Sequence, residues 1–312
     1  MKQLKISIIV ATKNRPKELA YFLNSVNSVN DKFSELVVVD SSSDSDTIEA
    51  NRLSTSNVNG KYLFFAEKGL SKARNHGISN SSGEIVVFAD DDFIATNGWL
   101  DNISKRFDAP EVFCVTGRML SLRKDASSNL YERTMSFDRG KNSKVFSKKN
   151  LQVRCLFSTL TKVGQKRLGD QTPVPWAVGF GFCSFQRRVF DIIGPFDINL
   201  GRGTKAVGAD DTDIFYRVLK AGLSICYSSD AVVLHNHRVS KDRLLEDFFN
   251  AGQSASAFVL KYFKRDSYVK CIGFGYLGLL VFSSIRAAFF ADKELGAAIN
   301  MELKGFLSRW LM

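Results

Sequence analysis

The first hundred residues alternate between short apolar runs and stretches in which apolar side chains recur at helical spacing. The apolar runs have the length of buried strands and cover residues 6–11, 35–39, 62–66 and 83–89. The first helical stretch shows its packed face at Leu19, Phe22, Leu23 and Val26. Strands that alternate with helices predict an α/β domain with a mostly parallel sheet flanked by helices on both faces.

The fourth apolar run ends abruptly in three carboxylates, Asp90, Asp91 and Asp92. Burying unpaired carboxylates is costly, so we expect them at the exposed carboxyl end of the strand, where open α/β sheets bind ligands. Three like charges favour a hard divalent cation, Mg²⁺ or Mn²⁺, which can carry a diphosphate as a further ligand. The alternative is a turn in which these residues only cap a helix that begins near Trp99.

The second apolar run also ends on a carboxylate, Asp40. Because βαβ crossovers have a fixed hand, Asp40 and the three later carboxylates should lie on the same edge of the sheet. The sequence contains neither the glycine-rich dinucleotide fingerprint nor a Walker-type phosphate loop. A nucleotide site in this chain must therefore use carboxylates and a metal ion.

A second acidic group, Asp210, Asp211 and Asp213, precedes a helical stretch at residues 214–219. The dipole of a helix favours ionised carboxylates at its N-terminus. A carboxylate held within reach of a hydroxyl can act as a general base. We expect one of the three, Asp213, to serve only as the N-cap of the helix.

Two further features occur near the predicted site. His235 and His237 stand two residues apart at a strand end and therefore point to the same face, either as metal ligands or as structural side chains. Trp176 follows a stiff proline-containing turn before Gly179. Its ring either stacks on an acceptor sugar or fills the core.

The C-terminal part differs from the rest of the chain. Residues 244–262 follow an amphipathic helical pattern, and residues 271–291 are strongly apolar apart from Arg286. The uncharged part, residues 271–285, is shorter than the roughly 20 residues of a transmembrane span. Basic flanking residues favour a helix that lies in the interface of an anionic membrane. The alternative is a helical cap packed on the domain or on a dimer partner.

Composition limits the possible partners. The 312 residues carry a net charge of +11, and residues 118–170 hold thirteen Lys and Arg against four Asp and Glu. This segment is either a surface for anionic lipid and phosphates or a solvated basic loop. Its aromatic residues do not recur with the basic ones as a platform for stacking bases would, so we expect no nucleic-acid partner. Five scattered cysteines argue against a disulfide framework and against a zinc site. With an N-terminal apolar run too short for a signal peptide, they predict a cytoplasmic protein.

Several motifs, in order and spacing, resemble family 2 of the inverting, GT-A-type glycosyltransferases. In the first half they are residues 10–16, 38–44, 72–77 and 88–92. Downstream, residues 179–197, 201–204, 208–213 and 232–237 are similar to the family's acceptor-side strand and helix, glycine loop, Glu-Asp motif and final strand. The resemblance covers roughly residues 4–245 and implies the GT-A fold of the nucleotide-diphospho-sugar transferases.

The resemblance also implies roles for single residues. Asp40 would accept a hydrogen bond from the base of the donor, Arg74 would lie beside the base or the phosphates, and Asp92 would bind the metal. Asp90 would hold the ribose or the metal, and His235 or His237 would complete the metal shell. The remaining residues on the donor side are Thr12, Asn14, Arg15 and Asp91. The acceptor side would comprise Trp176, Gly179, Phe180 and Gly181.

The general base implied by the resemblance is Asp211. In this chain, Asp210 stands where the family's Glu-Asp motif has its Glu, so either Asp210 or Asp211 could be the better placed as the base. Lys13 stands where the family often has an aromatic residue that stacks on the base.

The implied activity is metal-dependent, inverting transfer of a sugar from a nucleotide-diphosphate sugar to a hydroxyl. The acceptor would be a saccharide or a polyprenyl-linked carrier in bacterial surface polysaccharide synthesis. We expect the catalytic domain at residues 1–245 and a helical region at residues 246–312, which either associates with a membrane or packs on the domain or a dimer partner. The alternatives are a nucleotidyltransferase, which also uses paired Asp and Mg²⁺ but with a glycine-rich loop missing here, and a sugar-binding module without catalysis.

Overall fold

The computed structural model of the chain describes residues 4–29, 31–135, 137–151, 174–179, 181–236, 241–289 and 293–310. Phe180 and His237, which the sequence assigns to the candidate site, lie outside the described residues. Within these ranges a nine-stranded sheet forms the centre of the molecule, with strand order β3-β2-β1-β4-β8-β6-β9-β5 and β7 paired to β9.

The bounds of the elements follow the alternation read from the sequence. The strands are β1 Ile6–Thr12, β2 Glu35–Asp40, β3 Lys61–Phe64, β4 Ile85–Asp90, β5 Phe93–Ala95, β6 Val112–Ser121, β7 Lys144–Phe146, β8 Cys183–Gln186 and β9 Ser224–His235. The α-helices are α1 Pro16–Ser28, α2 Ser45–Ser56, α3 Leu70–Ser79, α4 Trp99–Ser104, α5 Ala126–Met135, α6 Val189–Ile193, α7 Asp210–Lys220, α8 Lys241–Tyr262, α9 Ser267–Phe289 and α10 Lys293–Ser308. Short 3₁₀ turns occupy Lys105–Asp108 and Lys148–Leu151.

The first four strands pair in parallel, and their register fixes the position of the acidic strand ends. β1 lies between β2 and β4, with Thr12 beside Asp40 and Ala11 beside Asp90. The prediction that these two carboxylates share one edge of the sheet is therefore confirmed. Parallel strands that stop in register bring their carboxyl ends together, so the acidic residues that end β2 and β4 lie at one edge of the sheet.

The other half of the sheet is mixed. β8 runs antiparallel to both β4 and β6, β6 and β9 are parallel, and β5 and β7 pair antiparallel with β9. Parallel pairing thus dominates only the half that the first hundred residues build. The pairing of β5 with β9 matters for the site, because it places His235 directly beside Phe93.

Helices cover both faces of the sheet because successive strand residues point to opposite sides. On one face, Ile8 and Val10 of β1 pack with the apolar side of α1 and with Trp99 of α4. On the other face, Ile9 packs with Ala73 of α3. The residues predicted as the packed face of α1 are all buried there, namely Leu19, Phe22, Leu23 and Val26.

The three C-terminal helices α8, α9 and α10 form a third cluster that is joined to the sheet domain by Tyr216 of α7. α8 and α10 pack so closely that a Cβ on Gly252 would lie 1.9 Å from the carbonyl oxygen of Glu302. The predicted helix at residues 244–262 is confirmed as part of α8. Because α8 already begins at Lys241, the domain boundary that we predict after residue 245 falls inside a helix, and the division into domains stays a prediction.

Asp213 ties α7 to α8 and is not the N-cap that the sequence suggested. The N-cap position is Ala209, and Asp213 lies one turn into the helix with no exposed surface. Its carboxylate accepts hydrogen bonds from Lys261 Nζ at 2.5 Å and from the hydroxyl of Tyr262 at 2.7 Å. Arg217 Nε donates a third at 2.8 Å. The prediction was wrong because the helix already begins at Asp210, and because two partners of Asp213 come from a helix some fifty residues further along the chain.

We predict that Asp213→Asn lowers the free energy of unfolding by about 3 kcal/mol, because it removes the negative charge from a buried ion pair. Urea unfolding followed by circular dichroism measures the change. The matched control is Glu67→Gln, which removes the exposed pair with Lys72 at 2.7 Å and should cost less than about 1 kcal/mol. Equal losses for the two variants would contradict the structural role of Asp213.

Candidate active site

Arg74 on α3 connects the two acidic groups that the sequence assigns to the site. Its Nη1 donates to Asp210 Oδ2 and to Asp211 Oδ1, both at 2.7 Å. Its Nη2 lies 3.4 Å from Asp90 Oδ1 at the end of β4. Only 4% of the Arg74 side chain is exposed. The end of β4 and the start of α7, far apart in sequence, therefore converge on one buried guanidinium.

Arg15 makes a corresponding contact with the other two carboxylates after β4. Its Nη1 donates to Asp91 Oδ1 at 2.6 Å and its Nη2 to Asp92 Oδ2 at 2.7 Å. Thr12 Oγ1 donates to the second oxygen of Asp91 at 2.8 Å. Asp91 is buried and engaged on both oxygens, so in this arrangement it fastens the loop after β4 to the end of β1. A direct contact of Asp91 with a donor stays a prediction.

His235, the last residue of β9, lies on the far side of Asp92. Its Nε2 is 3.2 Å from Asp92 Oδ1. The backbone N–H of Asn236 donates to the carbonyl of Asp92 at 3.0 Å, which fixes the two chain segments to each other. The ring also meets the edge of Phe93 at 5.1 Å. The pairing of β5 with β9 thus brings His235 to the predicted metal motif.

The cluster holds more negative than positive charge, since five carboxylates share the guanidinium groups of Arg15 and Arg74. Burial, reinforced by the charge of Asp92, raises the pKa of Asp91 to about 7 despite Arg15.

Burial and the charge of Asp211 raise the pKa of Asp210 to about 6 despite Arg74. Burial and the charges of Asp92 and Asp211 also raise the pKa of Asp90. Carboxylates whose pKa values are raised in this way would be stabilised as anions by a further cation.

Asp92 is the exception within the cluster. Burial opposes its ionisation, but the hydrogen bond and charge of His235, together with the charge of Arg15, lower its pKa below the usual range. A carboxylate that is already an anion at neutral pH is the form that binds a metal ion.

The donor atoms at this edge are of the kinds that Mn²⁺ and Mg²⁺ accept. Asp90 has 36% of its side chain exposed, and Asp92 and His235 stand next to it in the fold. Two carboxylates and an imidazole suit a divalent ion in ligand type. Among the described residues no three such side chains already form a metal cluster.

Asp40 occupies the neighbouring strand end but has no exposed surface. Its Oδ1 accepts the backbone N–H of Ser42 at 2.8 Å, and its Oδ2 accepts Asn51 Nδ2 at 2.9 Å and the hydroxyl of Tyr62 at 2.7 Å. Asn14 joins the same loop, because its backbone N–H donates to Ser42 Oγ at 2.8 Å. The predicted contact of Asp40 with a nucleotide base stays a prediction.

Neither Asn51 nor Tyr62 is among the site residues that the sequence predicts. Both partners of Asp40 lie in ordinary helix and strand patterns, Asn51 in α2 and Tyr62 in β3, and belong to no motif. The only sequence signal is an amide and a phenol on the two elements that follow β2. Their contact with Asp40 depends on how α2 and β3 pack.

The predicted acceptor residues separate in the structure. The backbone N–H of Gly181 donates to Asp211 Oδ2 at 2.7 Å, and a Cβ there would lie 2.7 Å from Asp90 Oδ2. Gly181 therefore belongs to the acidic cluster, and any larger residue at this position would displace the carboxylate of Asp90. Gly179 instead packs on Thr116 of β6.

Trp176 faces the C-terminal helices. Its ring stacks on Tyr276 with centroids 5.3 Å apart and meets the edge of Phe258 at 5.7 Å. Of the two interpretations of Trp176, these contacts support the one in which its side chain fills a core. A contact with an acceptor sugar stays a prediction.

Known proteins resemble this chain in sequence and in fold. The O-antigen chain rhamnosyltransferase WbaN of Salmonella anatum is 26% identical over 70% of this chain and 62% of its own length. The O-antigen chain rhamnosyltransferase RfbN of Salmonella typhimurium is 23% identical over 80% of this chain and 72% of its own length. The chain thus spans a little under two thirds of the first of these relatives.

A solved structure extends the likeness to the fold. The mannosyltransferase PcManGT from Pyrobaculum calidifontis, in complex with GDP-Man and Mn²⁺, superposes with a TM-score of 0.65 over 98% of this chain and 88% of its own. The sequence identity is 16%, so this likeness shows the GT-A fold alone. The sequence model of glycosyl transferase family 2 matches residues 7–190, which is more than half of the chain. The chain belongs to glycosyl transferase family 2.

Proposed function

We propose that the protein is a metal-dependent, inverting glycosyltransferase that moves a sugar from a nucleotide-diphosphate sugar to a hydroxyl of a saccharide or lipid-linked acceptor. The observation that carries the proposal is the convergence of the β4 carboxylates and the α7 carboxylates on Arg74. In the proposed function, the donor's diphosphate would bind beside the β4 carboxylates and the attacking hydroxyl beside the α7 carboxylates. The O-antigen relatives support a role in bacterial surface polysaccharide synthesis.

The donor would bind along the polar edge formed by β1, β2 and β4. Arg15 is suited to the diphosphate, because a guanidinium forms paired hydrogen bonds with phosphate oxygens. Its present bonds to Asp91 and Asp92 show that it reaches the acidic edge. Thr12 bonds to Asp91 and Asn14 bonds to Ser42, so the chain at the end of β1 is fastened to the segments that follow β4 and β2.

A divalent ion, which PcManGT contains as Mn²⁺, would be held by Asp90, Asp92 and His235. It would supply positive charge for the departing diphosphate. The excess of carboxylates over guanidinium groups among the described residues supports this assignment, because a divalent ion would offset the remaining negative charge. Asp92 would contribute an anionic carboxylate, whose Oδ1 lies 3.2 Å from His235 Nε2.

Asp211 is the better placed of the two candidate bases. Its side chain is 15% exposed, whereas that of Asp210 is 9% exposed. Gly181 and Arg74 hold the Asp211 carboxylate from both sides, which fixes its direction. In the proposed step an acceptor hydroxyl gives its proton to Asp211 while its oxygen bonds to the anomeric carbon. The bond from that carbon to the diphosphate oxygen breaks on the opposite face, so the configuration inverts.

We predict that Asp211→Asn lowers kcat by about 10²–10⁴-fold, the usual contribution of general-base catalysis, with little change in donor affinity. Asp210→Asn should lower kcat by about tenfold, because Asp210 acts through its bond to Arg74. Transfer assays with radiolabelled nucleotide sugars, together with calorimetric donor binding, measure both effects. Full activity in both variants would disprove the mechanism, and loss of donor binding in Asp211→Asn would assign that residue to the donor.

We predict that Mn²⁺ together with the correct nucleotide sugar stabilises the protein by about 2.7 kcal/mol at a hundredfold excess over the dissociation constant. A thermal-shift screen of nucleotide sugars with Mn²⁺ or with a chelator measures this. Asp92→Asn should abolish the metal-dependent part of the shift, because it removes the anionic oxygen beside His235. Asp138→Asn, which changes a carboxylate outside the cluster, is the matched control. A shift that is equal with and without metal would contradict the role of Asp92.

The raised pKa of Asp210 leads to a prediction for the ligand-free protein. Its folded-state pKa of about 6 lies above the ordinary value of 3.8, so the folded state binds a proton that the unfolded state releases. The stability of the wild type relative to Asp210→Asn should therefore fall as the pH rises from about 4 to about 6.

Urea titrations at several pH values measure that stability difference. Asp138→Asn is the control, because the hydrogen bond from Arg118 lowers the pKa of Asp138 and its contribution changes only below the ordinary range. A pH-independent difference between wild type and Asp210→Asn would mean that Asp210 is not neutralised by burial.

A further inference from the structure

Helix α9 is apolar on all sides, yet only one of its sides is covered. A helix that is hydrophobic all round belongs in a protein core or in contact with lipid. By length and composition, Ser267–Ala287 could cross a membrane, and 39% of that window is buried inside the protein. Within the part of the chain that the structure describes, the outer side of α9 therefore has no apolar cover.

The outer side of α9 forms one continuous apolar stripe. Its exposed members are Phe274 at 59%, Val281 at 41%, Phe282 at 48% and Ile285 at 53%. Their spacing of seven, one and three residues keeps them on a single helix face, on which Gly278 falls between them and Cys271 lies three residues before Phe274. Exposed apolar residues are common singly, but a contiguous patch marks an interaction surface.

The inner side of α9 is locked to the protein by packing and by polar contacts. The hydroxyl of Tyr276 donates to Glu302 of α10, and the hydroxyl of Ser284 donates to Asn300 of the same helix. A Cβ on Gly273 would lie 2.6 Å from a methyl of Val259 in α8, so the two helices are in close contact. A transmembrane span would break these contacts, so α9 is suited to lie along a surface.

One end of the stripe carries aromatic and basic side chains that suit a lipid headgroup region. Phe263 joins Phe274 to Trp310, with ring centroids 5.7 Å and 4.9 Å apart. Lys270 Nζ lies 5.7 Å from the centre of the Phe263 ring, and Lys264 is exposed beside it. Trp and Lys at the edge of an apolar face are typical of membrane-interface anchors.

The charge around the stripe favours anionic lipid over a second copy of the chain. Residues 263–310 hold seven Lys and Arg against four Asp and Glu. Two of those acidic residues are used internally, Asp266 by Lys220 and Tyr216, and Glu302 by Tyr276. A twofold contact would set this basic rim against itself, whereas an anionic surface attracts it.

From these observations, we propose that the outer face of α9 binds in the plane of an anionic membrane, with Phe274, Val281, Phe282 and Ile285 inserted below the headgroups. Lys264, Arg265 and Lys270 contact lipid phosphates. The surface does not depend on sugar transfer, and its test needs no substrate.

Flotation of the full chain with vesicles of phosphatidylglycerol and phosphatidylcholine, compared with phosphatidylcholine alone, tests the proposal. We expect binding to the anionic vesicles that weakens with salt. Combining Phe274→Asp with Phe282→Asp should weaken it about a hundredfold or more, because two buried aromatic side chains are lost. Combining Lys264→Gln with Lys270→Gln should weaken it about tenfold or more.

The matched control combines Leu53→Asp with Ile192→Asp, which are 55% and 54% exposed in the wild type but lie on α2 and α6. It adds the same charge and should bind as the wild type does. All the replaced side chains are exposed except that of Lys270, which is half-buried, and circular dichroism melts verify that each variant is folded. Phe282→Trp keeps the face apolar and should gain fluorescence quenching by brominated lipid over the wild type.

Three results would overturn the proposal. The first is a wild type that does not float with anionic vesicles, and the second is equal loss of binding in the control. The third is a dimer in sedimentation equilibrium that the Phe274 and Phe282 substitutions dissociate while vesicles remain unbound. That last result would assign the face to a second copy of the chain.

Discussion

The structure of the site depends on the shared hydrogen bonds of one buried arginine. Arg74 joins the end of β4 to the start of α7 through Asp90, Asp210 and Asp211. Its guanidinium also lies near the ring faces of Phe88 and Phe196, at 5.8 Å and 5.3 Å. A buried cation with several carboxylate partners is stable only if all are held in place together. The position of the candidate base is therefore coupled to the position of the candidate metal motif.

The same arrangement explains why the cluster is suited to a charged donor. Its two guanidinium groups satisfy only part of the negative charge, and burial leaves Asp90, Asp91 and Asp210 with raised pKa values. In the proposed function, a diphosphate with its divalent ion would bring both a further cation and an anion that Arg15 can bind. Donor binding would then rearrange the ion pairs that Arg15 makes with Asp91 and Asp92.

The C-terminal helices are connected to the site and are more than a separate attachment. Tyr268 of α9 donates to the carbonyl of Val174 at 2.6 Å, and Trp176 stacks on Tyr276 of the same helix. A few residues later Gly181 donates its backbone N–H to Asp211. A surface bound by α9 would therefore be mechanically linked to the segment that orients the candidate base.

The sequence by itself determined the alternation of strands and helices, the acidic strand ends, the two acidic groups and the all-round apolar helix. These features follow from local periodicity and from the cost of burying charge, which a linear pattern records. Only the tertiary structure decided that Arg74 joins the two groups, that Asp40 is enclosed by Asn51 and Tyr62, and that Asp213 pairs with Lys261. Those contacts join elements distant in the chain, and their geometry depends on how helices and strands pack, which no local pattern encodes.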